Sequence, residues 1–226
     1  MIPVLCPSGK ILHRQLFDQQ VERLIEYGWH KALGWIEKDL SLYLGMLADP
    51  PGGLLHEIGE TAPACFPFFI VIPHAMISVN EQMQRLVVDK KHGYASLDSA
   101  KLWNPEGIGE SKSPYLICDV DNGAGNMGRI TGEVVGEISR ACRHGLVMEE
   151  AIALAVHFPE SLVHHAFALV GVDYQIAPWS GSGPRHQCVP ELWNGSGGPT
   201  QNYGPLQSRR EDRGVPSCRR RLFLDR

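Results

Sequence analysis

The sequence predicts a single α+β domain with an N-terminal helical hairpin, a small mixed sheet with helices on one face, and an irregular C-terminal tail. Apolar residues recur with helical spacing near the N-terminus, short apolar runs bounded by proline predict buried strands, and further helical segments separate these runs. The chain has 226 residues, of which 43% are hydrophobic and 20% charged. This length supplies one full hydrophobic core or two small ones.

The helical hairpin is predicted from two apolar stripes. From Arg14 to Tyr27 apolar side chains recur on one helical face, and Gly28 supplies a left-handed stop. A second stripe extends from Leu33 to Leu47, and the prolines and glycines at positions 49–53 end it. Two consecutive helices of this kind predict an antiparallel pair.

The strands are predicted from apolar runs. Residues Phe66–Pro73 are aromatic and β-branched, which is typical of a buried strand, and Ser78 and Glu81 then have the spacing of a helix-capping box. Residues 113–121 predict a second strand that ends at the turn signal Asn122-Gly123. Further helices are expected at 133–142, 148–156 and 160–165, and further strands at 166–170 and 188–193.

Charge divides the chain unevenly. The net charge is −4, but seven arginines against three acidic residues give residues 206–226 a charge of +4. We therefore expect an N-terminal extension at 1–13, an α+β domain at 14–195, and a poorly ordered tail at 196–226, first rich in Gly, Pro and Ser and then in Arg. The acidic body disfavours a broad nucleic-acid surface, so RNA binding is expected only through the arginine-rich tail.

Composition also excludes several classes of protein. The longest apolar runs are far shorter than the roughly 20 residues of a membrane span, and the start of the chain lacks the pattern of a secretory signal. Six scattered cysteines without a CxxC pair do not match a zinc ribbon and favour reduced thiols. A soluble cytoplasmic protein is expected.

Two carboxylates at the end of the second predicted strand are candidate catalytic residues. Because strand side chains alternate, Asp119 and Asp121 are expected on the same side of the sheet. Such a pair can share Mg²⁺, or one carboxylate can attack phosphorus. The segment superficially resembles the nucleophile strand of haloacid-dehalogenase-like phosphatases, although Asn122 stands where Thr or Val is expected. An acidic strand end that leads into a turn explains the same residues.

A histidine cluster supplies candidate metal ligands: His157, Glu160, His164 and His165. His and Glu side chains bind zinc when they converge on a tetrahedral centre. The spacing is not HExxH, however, and Pro159 breaks the helical register. A histidine at a helix end also interacts favourably with the last carbonyl groups, which explains His157 without a metal.

Nucleotide and nucleophile motifs are weak. Residues 123–128 have the letters of GxGxxG after a strand, but the next helix is poorly periodic and no acidic residue follows at the required distance. No Gly-x-Ser-x-Gly elbow lies in a strand-to-helix context. No cofactor is therefore predicted, apart from the divalent metal that the acidic pair or the histidines would hold.

Several segments resemble an uncharacterised bacterial family of unknown function. The resemblance is carried by EEAIALAVHFPESL at 149–162 and PYLICDVDNG at 114–123, and it also includes 21–28, 67–73 and 189–193. It implies one domain over most of residues 20–195 and transfers no catalytic role. Family members close with a short Ser-Cys-Gly ending, whereas here Ser217-Cys218 is followed by three arginines.

These observations lead to three functional hypotheses. The first is a domain that binds a small ligand or a partner protein without catalysis, with a cleft expected between the Pro67–Pro73 strand and the turn at His157. The second is a metal-dependent hydrolase that uses Asp119 and Asp121, or the histidine cluster. The third is RNA binding through the arginine-rich tail.

Overall fold

The computed structural model describes residues 9–48, 53–62, 64–98, 102–103, 111–174 and 188–224. Most of the predicted helix stop at 49–53 lies outside these residues, as do residues 175–187. In chain order the helices are α1 (Gly9–Glu26), α2 (Trp29–Ala32), α3 (Glu37–Ala48), α4 (Val79–Arg85), α5 (Thr131–Arg140), α6 (Met148–His157) and α7 (Pro159–His164). The strands are β1 (Phe66–Val71), β2 (Val87–Val88), β3 (Lys91–His92), β4 (Leu102–Trp103), β5 (Tyr115–Val120), β6 (His144–Gly145), β7 (Ala166–Ala168), β8 (Asp173–Tyr174), β9 (Cys188–Gly195), β10 (Gly198–Pro205), β11 (Arg213–Gly214), β12 (Ser217–Cys218) and β13 (Arg220–Phe223).

The α+β class is confirmed, with N-terminal helices preceding the sheets. α1 packs against α3, as the hairpin prediction required. The second predicted helix corresponds to α3, which begins at Glu37 rather than at Leu33, because Gly34 adopts a left-handed backbone with φ of 70°; the short α2 precedes it. The Ser78 cap is also confirmed, since its hydroxyl accepts a hydrogen bond from the Glu81 amide at 3.3 Å.

A three-stranded antiparallel sheet in the order β1-β5-β13 lies at the centre of the fold. All six residues of β5 are buried, so both faces of this sheet are covered. The free edge of β1 is closed by a side chain of α1, because the Gln20 amide donates to the Phe68 carbonyl at 3.1 Å and accepts from the Ile70 amide at 2.9 Å. This contact protects the edge against pairing with another chain.

A second sheet, in the order β10-β9-β7-β11, is mixed because β11 runs parallel to β7 while the other pairs are antiparallel. Between the elements of the two sheets lies α6, which is buried at every residue and contacts both β1 and β9. A helix that is apolar almost all round belongs in the core. The apolar sequence of α6, which carries much of the family resemblance, is therefore explained by its packing in the core.

The two ends of the chain differ from the predicted extension and tail. Residues 9–13 are part of α1, and residues 198–223 contribute strands to both sheets. Burial of arginine against carboxylate accounts for this difference: Arg213 pairs with buried Glu191 at 2.5 Å, and Arg221 pairs with buried Glu150 at 2.6 Å. A run of arginines looks solvated in a sequence, but these side chains neutralise buried acidic groups.

Among the described residues, no helix combines the length and the apolar character needed to cross a bilayer.

Candidate functional site

A cleft of about 270 Å³ opens at the end of the central sheet where β1 begins and β5 ends. Its walls come from three separate parts of the chain, which the antiparallel pairing of β1, β5 and β13 brings together. The cleft is lined by Ile58, Gly59, Glu60 and Thr61 from the loop before β1, by Pro67, by Cys118 and Asp119, and by Arg219 and Arg220.

Asp119 has an unusual backbone for a strand residue. Its φ is +52°, in the left-handed region that aspartate tolerates better than most residues. The ladder is locally distorted here, because the Arg219 amide donates to the carbonyl of Cys118 at 3.1 Å while the Asp119 carbonyl accepts from the Arg143 side chain. Distortions of this kind redirect side chains at functional sites.

The Asp119 carboxylate accepts hydrogen bonds from three directions. Oδ1 accepts from the Ala62 amide at 2.8 Å, and Oδ2 accepts from Arg143 Nη1 at 2.9 Å and from Arg219 Nε at 3.0 Å. Burial by itself would raise the pKa of Asp119, but the Ala62 amide and the two guanidinium groups outweigh it and hold this pKa below its usual value. Asp119 is therefore an ionised, nearly buried carboxylate.

Arg143 holds the end of β5 against β12. Besides its bonds to Asp119, its Nε donates to Ser217 Oγ at 2.9 Å and its Nη2 donates to the Ser217 carbonyl at 3.1 Å. The side chain is 11% exposed, so its charge is matched by Asp119 rather than by solvent. Arg143 is therefore a structural partner behind the cleft wall.

Arg219 and Arg220 lie at the mouth of the cleft and are more accessible. The Arg219 side chain is 53% exposed, and Arg220 is also exposed. A guanidinium carries five N–H donors. Within the described residues, the Arg219 side chain makes one hydrogen bond, to Asp119, and that of Arg220 makes one, to the carbonyl of Glu57. Both side chains therefore have donors to offer to a ligand.

Of the two predicted carboxylates, Asp119 lines the cleft and Asp121 does not. Asp121 Oδ1 accepts from the amide of Gly123 at 2.8 Å and so closes the turn after β5. The left-handed backbone at Asp119 interrupts the regular alternation of the strand, and the two carboxylates bind different partners, although both act on the pKa of the Cys65 thiol. The catalytic role of these two residues stays a prediction.

The four histidine-cluster residues are placed apart. His157 Nε2 donates to the Ile70 carbonyl at 3.0 Å, and complete burial lowers the His157 pKa to about 3. His165 Nε2 donates to the carbonyl of Asn122 at 2.8 Å, while Glu160 and His164 are exposed. Within the described part of the chain, no three His, Cys, Asp or Glu side chains form a group that could hold a metal ion.

The expected cleft beside His157 is packed. The rings of Phe66 and Phe158 stack at 4.1 Å, and His157 is bonded directly to β1. The cleft at the end of the central sheet shares only the Pro67 end of β1 with that expectation. Its position is displaced because aromatic side chains fill the space beside α6.

Sequence reasoning missed Arg143 and the loop at 58–61, and it treated Arg219 and Arg220 only as part of a tail. The departure of this chain from the family ending at Arg219 was a signal, but nothing in the sequence connected it with Asp119. Arg143, next to a turn, carried no signal of its own.

No curated protein and no solved structure shows significant similarity to this chain. One family matches residues 23–206, a range that contains the cleft residues from the loop at 58–61 through Asp119 and ends before Arg219. The predicted family resemblance is thereby confirmed at the level of a family without known activity. The chain belongs to the family of unknown function DUF5701.

Proposed function

We propose that this chain is a binding domain without catalytic chemistry of its own, and that its ligand is a small molecule held in the cleft beside Asp119. The observation that carries the proposal is the pair of guanidinium groups at the mouth of this cleft, most of whose donors have no partner among the described residues. A few polar groups above largely apolar walls are typical of small-ligand sites.

The size of the cleft favours a small molecule over a protein partner. At about 270 Å³ it is close to the lower end of ordinary ligand pockets, which begin near 300 Å³. A stable protein interface buries about 800 Å² of each partner, which is far more surface than the nine residues of this cleft present. Between the two kinds of partner that the sequence left open, we therefore choose the small ligand.

The hydrogen bonding of Asp119 favours binding over catalysis. A general base or a nucleophile needs an oxygen atom that reaches the substrate. Both oxygens of Asp119 already accept hydrogen bonds, and its lowered pKa makes it a poor proton acceptor near neutral pH. Its role in this proposal is to orient Arg219.

Filling the cleft tests the proposal. A Cβ atom built on Gly59 lies 3.8 Å from Arg220 Nη2, an ordinary contact, so Gly59→Phe would place a ring in the cleft without a backbone clash. Gly125→Phe is the matched control, because open space surrounds a Cβ atom at Gly125 and this residue does not line the cleft.

The assay is a small-molecule screen by thermal unfolding. A ligand at 100 times its Kd stabilises the folded state by about 2.7 kcal/mol, which raises the Tm of a chain of this length by about 5–10 °C. We expect hits to lose this shift in Gly59→Phe and to keep it in Gly125→Phe. Equal shifts in both variants would place the ligand elsewhere and refute the proposal.

A further inference from the structure

We infer that the ligand of this cleft carries a terminal oxyanion, a phosphate or a carboxylate, on a small organic body, and that Arg219 and Arg220 bind it. The inference rests on the proposed function and adds the ligand's chemical class. It is supported by the distribution of hydrogen bonds among the arginines, by the charges that line the cleft, and by the apolar walls.

The arginines at and behind the cleft, and Arg213 in the second sheet, differ in how fully their donors are used. Arg213 donates to Glu191 and to both the carbonyl and the hydroxyl of Ser208, and Arg143 donates to Asp119 and Ser217 through four hydrogen bonds. Arg219 and Arg220 instead use one of five donors each within the described residues. A planar group with several free N–H donors matches the two oxygens of a phosphate or a carboxylate.

The charged residues that line the cleft carry a positive excess that suits such a ligand. Asp119 is neutralised by Arg143, which lies behind the wall at 2.9 Å. Of the charged residues that line the cleft, this leaves Arg219 and Arg220 against the exposed Glu60. The local excess of one positive charge favours an anion over a cation or a neutral polar molecule.

The geometry also orients Arg219. Its Nε is held by the ionised Asp119, so the side chain is fixed at one end, while its two terminal nitrogens have no hydrogen-bond partner in the part of the chain that the structure describes. The apolar side chains of Ile58 and Pro67 lie in the same cleft and would contact the organic body of the ligand. A guanidinium held in place before binding loses less entropy when the oxyanion arrives.

Calorimetric titration of the full chain tests this inference with four probes: phenyl phosphate, benzoate, inorganic phosphate and neutral benzyl alcohol. We expect phenyl phosphate or benzoate to bind, and the tighter of the two identifies the oxyanion. Arg219→Gln and Arg220→Gln should each weaken this binding about tenfold or more, because each removes a charged hydrogen-bond donor. Glu60→Gln should tighten it several-fold, since a repelling carboxylate is lost.

Arg129→Gln is the matched control, because Arg129 is an exposed arginine whose ion pair with Glu137 lies outside the cleft. Arg220→Gln keeps the test informative if Arg219→Gln does not fold, since Arg220 donates only to the Glu57 carbonyl within the described residues. Binding that is unchanged in both cleft variants would overturn the inference.

Other outcomes separate this inference from the proposed function. If benzyl alcohol or a screening hit without an oxyanion binds, and Gly59→Phe abolishes that binding, the oxyanion inference is overturned while the proposed function stands. If Gly59→Phe blocks the binding of none of the probes or screening hits, the oxyanion inference and the proposed function both fail. The inference is supported if salt weakens the binding of phenyl phosphate and Arg219→Gln loses this binding.

Discussion

Replacing Asp119 with asparagine is expected to destabilise the fold strongly, whereas the same change at Asp121 is expected to cost little. Asp119 Oδ2 accepts from both Arg143 and Arg219, while Oδ1 accepts from the Ala62 amide. Asparagine has one acceptor oxygen, so one of these sets of donors must face an NH₂ group. Asparagine tolerates a left-handed backbone well, so the φ of 52° does not confound the comparison.

The magnitude follows from burial. The side chain of Asp119 is 7% exposed and that of Arg143 is 11% exposed, so Asp119→Asn leaves a buried guanidinium without its counter-charge. Breaking a buried ion pair costs about 3–5 kcal/mol. Arg219 adds little because half of its side chain is in solvent. At Asp121 an asparagine oxygen can still accept from the Gly123 amide, so we expect a change within about 0.5 kcal/mol.

The assay is equilibrium unfolding in urea at pH 7, monitored by circular dichroism, with the free energy obtained by linear extrapolation. The comparison requires that the unfolding free energy depends on urea concentration with a similar slope in wild type and in both variants. A loss below about 1 kcal/mol in Asp119→Asn, or an equal loss in both variants, would refute the role given to the Asp119–Arg143 pair.

Acid adds a second test of the same residue. The folded-state pKa of Asp119 is lowered, so its ionised form stabilises the fold fully above the unfolded pKa, near 4. This contribution is lost as the pH falls through the folded-state pKa. The difference in unfolding free energy between wild type and Asp119→Asn should therefore shrink below about pH 4. A difference that stays constant down to pH 2 would contradict this linkage.

Three further predictions follow from other parts of the molecule. His157 has a folded-state pKa of about 3, against an ordinary value of 6.5, so its stabilising contribution falls as the pH drops below 6.5. Between pH 7.5 and 5, wild type should lose about 2 kcal/mol more than His157→Gln in urea unfolding, at about 1.4 kcal/mol per pH unit; parallel curves would show that His157 is not held neutral. Gly204→Ala should cost about 1–3 kcal/mol, because its Cβ would lie 2.1 Å from Glu191 Oε1 and would displace the buried pair with Arg213, whereas Gly125→Ala, which meets open space, should change stability by less than about 0.5 kcal/mol. Equal effects of these two alanine variants would show that the Glu191 pair has room to adjust. Finally, protein purified without chelator should contain far less than one equivalent of zinc or manganese by elemental analysis; a stoichiometric metal that Asp121→Ala or His157→Ala removes would favour the hydrolase hypothesis.

The sequence by itself determined the local elements. The apolar stripe of α1, the cap of α4 by Ser78 and the turn after β5 were all predicted, and the structure contains each of them. Such features depend on side chains within about four positions of one another, where spacing along the chain settles which groups can meet. The α+β class follows from the same local patterns, because it requires only the types of the elements and their order.

Tertiary structure alone decided the candidate site. Asp119 takes its hydrogen bonds from Ala62, Arg143 and Arg219, which lie 57, 24 and 100 positions away in the chain. The pairing of β13 with β5 places Arg219 opposite Asp119, and no local spacing predicts which distant strand joins a sheet. For the same reason the sequence could not distinguish the arginines that neutralise buried carboxylates from the two at the cleft. Residues far apart in the chain interact only once the intervening loops have closed, so the local spacing of residue types does not predict these interactions.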